Sequence, residues 1–159
     1  MTTADCASWF VGRLPDGWFT EAPEVTVDRE EIVVIGRIDV PEPGAEVGRA
    51  KRFREETRDV RMQIADEAEE RFGRKVAWGV EAGDERYLFA HLAVPVMTRL
   101  RQSERVLLDT LIDAGVARSR SEALAWCVRL VTKHQGEWVQ QLRDALVHVE
   151  EVRNQGPAT

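Results

Sequence analysis

The sequence predicts an α+β protein, on three observations. Short alternating apolar segments come in pairs on either side of one long amphipathic helix in the first half. The second half has helical spacing almost throughout, punctuated by glycine and by a capping signature. No internal repeat and no low-complexity tract interrupts this plan. The order read is a small ββαββ domain over 1–93, a strand-helix-helix stretch over 94–135, and a further helix over 136–153.

Residues 7–24 are rich in aromatics. Leu14-Pro15-Asp16-Gly17 is a turn, because Pro presets φ and Gly accepts positive φ. Trp9, Phe10, Trp18 and Phe19 flank it, so the segment reads as a loop or short hairpin anchored on the core by its rings. Val25–Val27 and Glu31–Val40 are strands around the polar turn Asp28-Arg29-Glu30. In the second, Ile32, Val34, Ile38 and Val40 share a face with Gly36 in register, and Val33 and Ile35 take the other. Pro41 and Pro43 end it, and residues 41–50 read as a surface loop.

The helix of the first half is expected over 51–72. Phe53, Val60, Ile64, Ala68 and Phe72 form its stripe, and Gly73 supplies a left-handed cap. Arg54, Arg58 and Arg61 stand beside Glu55, Glu56 and Asp59, which reads as a solvated charged face, with a binding role for the arginines as the lesser alternative. Val76, Trp78 and Val80 then alternate in a strand, Gly83-Asp84-Glu85 turns, and Tyr87–Leu92 returns.

Ala93-Val94-Pro95 leads into the second half with no Gly/Ser linker. A strand follows, with Val96, Thr98 and Leu100 on one face and Pro95, Met97 and Arg99 on the other. Ser103 is the expected cap of the next helix, whose wide stripe runs through Leu107, Leu108 and Leu111 to Gly115. Ser119 and Glu122 form a capping box for a second helix, with Leu124, Cys127, Val128 and Val131 along its stripe. Stripes this wide on a lone helix pair point to self-association. Gly136 interrupts the pattern, and Trp138, Leu142, Ala145, Leu146 and Val149 mark a third helix that would pack on a dimer or on the N-terminal unit.

Composition narrows the function. With 43% apolar and 31% charged residues, the chain reads as soluble and globular. No apolar run is long enough for a membrane span, and the N-terminus lacks a secretory pattern, so a cytoplasmic protein is expected. The net charge of −6 argues against nonspecific nucleic-acid binding, but it is uneven. Residues 94–133 hold seven Lys or Arg against four Asp or Glu, a local +3. No phosphate-binding glycine loop, GxSxG or HExxH motif is present. His91, His134 and His148 are scattered, and Cys6 and Cys127 form no ligand cluster. The reading is therefore of a non-enzyme with no cofactor and no metal.

The run from Thr98 to Val131 resembles the ribbon-helix-helix family of DNA-binding proteins. The resemblance rests on Arg99-Leu100 ending the strand, the Leu107-Leu108 pair, Ala114-Gly115 at the turn, and Arg118-Ser119-Arg120-Ser121-Glu122-Ala123-Leu124. It covers about a quarter of the chain. It implies an obligate homodimer with Val96, Leu100, Leu107, Leu111, Leu124 and Val128 in a shared core. The paired strands would enter the major groove. Met97 and Arg99 would face the bases, with Arg101 beside the backbone, and Arg118, Ser119, Arg120 and Ser121 would hold phosphate at a helix N-terminus. The function implied is a dimeric DNA-binding transcriptional regulator, its N-terminal domain sensing, assembling or binding a protein partner. The alternative is the same motif used only to dimerise, in an antitoxin-like scaffold. Pro95, which offers the groove no hydrogen bond, and the acidic remainder motivate it.

Overall fold

The computed structural model describes residues 3–157. The fold is α+β, and the chain divides into two compact units at Val96/Met97.

In the first unit the elements run α1 (Thr3–Arg13), β1 (Glu24–Val27), β2 (Glu31–Ile38), α2 (Glu46–Glu56), α3 (Arg58–Phe72), β3 (Lys75–Ala82) and β4 (Glu85–Leu88). The sheet order is β1-β2-β3-β4. The outer pairs are antiparallel hairpins, with Val25 opposite Val34 and Val80 opposite Tyr87. The central pair β2–β3 is parallel, with Val34 beside Trp78, and the two helices make the crossover that a parallel pair requires.

Alternation decides which face is covered. Ile32 and Val34 of β2 and Trp78 of β3 pack with Cys6 and Phe10 of α1 and with Ile64 and Ala68 of α3. Further along the same face, Ile38, Val80 and Ala82 meet Ala50 and Phe53 of α2. On the opposite face a cross-strand row, Arg37–Glu81–Arg86, alternates in sign. Glu81 accepts from Arg37 at 2.9 Å and from Arg86 at 2.6 Å. Glu21 and Glu24 extend the row at its two arginines.

Three sequence expectations change. The segment expected as a loop or hairpin begins as helix α1, so the unit is αββααββ and not ββαββ. Cys6 and Phe10, four apart, are both fully buried, and Phe10 meets Trp78 edge-on at 5.9 Å between ring centres. Arg13 grips Glu67 through two hydrogen bonds of 2.5 and 2.8 Å, tying α1 to α3. The turn after α1 is as read, with Gly17 at φ 82°. Second, the long helix starts at Glu46 and breaks at Thr57, whose φ of −97° and ψ of 0° separate α2 from α3. The Thr57 hydroxyl donates to Phe53 O at 2.6 Å. Third, β4 ends at Leu88, and residues 90–101 join no strand. The strand expected there has no ladder partner among the described residues.

Phe19 lies directly over Gly36, where an added Cβ would stand 2.2 Å from the ring. Phe19 in turn stacks on Phe53 at 5.6 Å. Gly36→Val should therefore destabilise the protein by about 1–3 kcal/mol, since a packed interior accommodates extra carbons poorly. Urea unfolding reads this as a lower midpoint; an unchanged midpoint would contradict the ring's placement.

Candidate nucleic-acid interface

The second unit contains α4 (Gln102–Asp113) and α5 (Arg120–Gln155). The N-cap of α4 is Arg101, not Ser103. The Glu104 carboxylate reaches back and accepts from the Arg101 N–H at 2.6 Å. The Arg105 guanidinium donates to Leu100 O at 2.5 Å, fixing the chain's entry into the helix. Gly115, at φ 76°, ends the helical path after α4. Its N–H donates to Ile112 O at 3.0 Å, and the Val116 N–H donates to Leu111 O at 2.9 Å.

Ser119 caps α5 as the sequence predicts, its hydroxyl accepting from the Glu122 N–H at 3.1 Å, but the return half of the expected box goes to the Arg118 N–H instead of the Ser119 N–H. Helix geometry leaves the Arg120 and Ser121 N–H groups without acceptors inside the helix. The arginines of this turn are less available. Arg120 forms a bidentate pair with Asp109 of α4, both bonds 2.8 Å. Arg118 lies against Glu122 at 3.3 Å, and Glu122 also accepts from the Arg118 N–H at 2.8 Å. Hydrogen bonding from Arg120 holds the Asp109 carboxyl below its ordinary value, and the Arg118 backbone and side chain do the same for Glu122. A depressed carboxyl stabilises above its ordinary value and loses its effect only as pH falls through the lowered one. Both pairs therefore persist at neutral pH.

Met97, Arg99, Arg101 and Ser121 are exposed. Met97 keeps 95% of its surface and Val96 keeps 88%. The residues expected in a dimer core divide into two sets. Leu100, Leu111 and Leu124 are partly buried around Leu108, Ala117 and Ala123 within the unit. Val96, Leu107 and Val128 remain exposed, Leu107 at 54% and Val128 at 60%. Ala117 and Ala123 were not legible as core, because alanine contributes little to an apolar pattern.

The third helix expected after Gly136 is the continuation of α5, which bends at Gln135 (φ −123°, ψ 18°). Leu124, Val128, Val131, Gln135, Trp138, Leu142, Ala145, Val149 and Val152 follow one another at alternating spacings of four and three. That is the spacing a coiled-coil seam uses, with one polar position, at the bend. Val128, Val131, Trp138, Leu142, Val149 and Val152 on it are all exposed.

No group of acidic, histidine or cysteine side chains among the described residues could hold a metal ion, and no helix there is long and apolar enough to cross a membrane.

Residues 4–88 match the family model described as Rv1265-like protein, N-terminal domain, and residues 101–153 match the Mb1296 C-terminal domain. Residues 89–100, which join no strand, lie between the two matches. The chain is similar to the uncharacterized protein Rv1265 of Mycobacterium tuberculosis (strain ATCC 25618 / H37Rv) and to the uncharacterized protein Mb1296 of Mycobacterium bovis (strain ATCC BAA-935 / AF2122/97). Each is 60% identical over 157 residues, covering 95% of this chain and 70% of the relative. No solved structure matches the chain.

Ser119→Ala should lower stability by about 1 kcal/mol, the usual cost of losing an N-cap acceptor, and Ser119→Asp should restore most of it. Helical circular dichroism on heating checks both; equal midpoints for Ala and Ser would rule out a working cap.

Proposed function

The chain belongs to the Rv1265-like family, and on the residues of its second unit we propose that it is a dimeric DNA-binding transcriptional regulator. One observation carries the reading. The segment before α4, which joins no strand and exposes Val96, Met97 and Arg99, leads into a helix pair whose apolar positions Leu107 and Val128 also remain open. A second copy would supply both missing partners at once, a strand for the ribbon and a stripe for the helices. In the dimer, Arg99 would meet a guanine edge and Met97 a thymine methyl, with Arg101 on the adjoining phosphate. The Arg120 and Ser121 N–H groups at the start of α5 would take a second phosphate.

A specific observation favours a second reading, in which the motif serves only to dimerise. Asp109 and Glu122 already neutralise Arg120 and Arg118, so the turn offers phosphate backbone N–H groups but little net charge.

Gel-shift and salt-titration measurements on the full chain separate the two. On the regulator reading, Arg99→Ala costs about 1–3 kcal/mol of specific binding and relaxes preference at one base pair. Asp109→Asn releases Arg120, raising affinity on all sequences and steepening the log–log salt slope by about one. A dimer that shifts no duplex at low salt, or binding indifferent to Arg99, would leave only the dimerisation reading.

A further inference from the structure

The sequence places Arg54, Arg58 and Arg61 on a solvated helix face, but Arg61 is only 6% exposed. The break at Thr57 turns it inward. Its Nε–H donates to Thr57 Oγ1 at 2.9 Å and its Nη2 to Arg54 O at 2.7 Å, bracing the end of α2. Its guanidinium carbon lies 4.9 Å from the centre of the Phe89 ring, which Arg54 also approaches, at 5.7 Å. No carboxylate pairs with Arg61 or Arg54 among the described residues, and Arg61 Nη1 has no hydrogen-bond partner there. Burial, and then the charges of Arg54 and Arg58, pull the Arg61 guanidinium below its ordinary value.

Capping α2 explains two of the Arg61 nitrogens. It leaves the third nitrogen, Nη1, open at the cleft, beside Arg54, which has no carboxylate, and Arg58, whose one carboxylate is the exposed Asp59 at 3.9 Å. The three arginines line one cleft of about 490 Å³, together with Lys51, Met62 and Phe89. That volume is in the range of small-molecule sites. Glu55 is the acidic residue on its wall, 3.9 Å from Lys51. Four cations stand against Glu55 on the wall and Asp59 beside Arg58, an excess of two that favours a dianion over a monoanion, and Met62, Val76 and Phe89 give the cleft an apolar side.

We propose that this cleft binds a phosphate-bearing small molecule, with Arg54, Arg58 and Arg61 on the phosphate and Met62, Val76 and Phe89 against its apolar body. Forked guanidinium donors suit a phosphate's several oxygens. The site lies wholly within the first unit and does not depend on the DNA-binding reading.

Titration calorimetry on the full chain at low salt tests it, with phenyl phosphate, phenol and inorganic phosphate as probes. Phenyl phosphate should bind, inorganic phosphate about tenfold more weakly, and phenol without detectable heat. Arg54→Ala and Arg58→Ala, both changes on the cleft rim, should each weaken phenyl phosphate by about tenfold while leaving the thermal midpoint in place. Arg61→Lys keeps a donor for the Arg54 carbonyl but loses the fork, and should also weaken binding. No heat with phenyl phosphate, or equal affinity in the Arg54→Ala, Arg58→Ala double variant, would overturn the proposal. So would a DNA shift lost in that double variant while phenyl phosphate gives no heat, since the arginines would then serve a polynucleotide backbone.

Discussion

Within the second unit, apolar surface on α5 outruns the surface available to cover it. The helix has 36 residues, or about 54 Å at 1.5 Å per residue, whereas α4 has 12 and reaches about 18 Å. Leu108, Ala117 and Ala123 close a small core between the two near the start of α5. Beyond it, Val131, Trp138, Leu142 and Val149 stay open to water. Fully burying such a side chain is worth about 1.5–3 kcal/mol, and each of these is about half exposed, so covering the four is worth about 3–6 kcal/mol. In the proposed dimer a second α5 would cover this row, and the four-three spacing from Leu124 to Val152 is the one two interlocking helices use. Gln135 is the polar position in that seam and the point where the helix bends.

Charge is the second organising constraint, and it depends on which arginines are already engaged. Arg13, Arg37 and Arg86 are committed to carboxylates within the first unit. Arg118 and Arg120 are committed within the second, where the Arg120–Asp109 pair joins α5 to α4. These pairs are at least partly exposed, so each contributes modestly to stability. Their larger effect is on function, since a paired guanidinium must exchange its carboxylate for phosphate before it can hold a nucleic acid. Arg99 is exposed ahead of α4, and Arg61 is buried without a carboxylate. A count of basic residues along the chain would rank these arginines alike.

The sheet was legible because two-residue alternation survives in short strands, and Val34, Ile38, Trp78 and Val80 fall on the predicted face. The helix ends at Gly73, Gly115 and Ser119 were legible because each carries a local chemical reason to stop or start. Helix α1 was missed because its stripe spans only Cys6 and Phe10, and neighbouring aromatics fit a hairpin equally well. The break at Thr57 was hidden because Phe53, Val60 and Ile64 keep helical spacing across it. Its consequence, a buried Arg61, has no one-dimensional signature at all. At the candidate interface the exposed side chains were readable, but the carboxylates facing Arg118 and Arg120 were not. The Asp109 contact spans eleven residues and exists only once α4 and α5 fold back on each other.

Sedimentation equilibrium of the full chain at micromolar concentration tests most directly whether the second unit is half of a shared core. The account predicts a single species of twice the 18.0 kDa chain mass, converted to monomer by Val128→Asp together with Leu142→Asp. A wild-type protein that sediments as a stable 18.0 kDa monomer, with the α5 stripe still open to water, would contradict it.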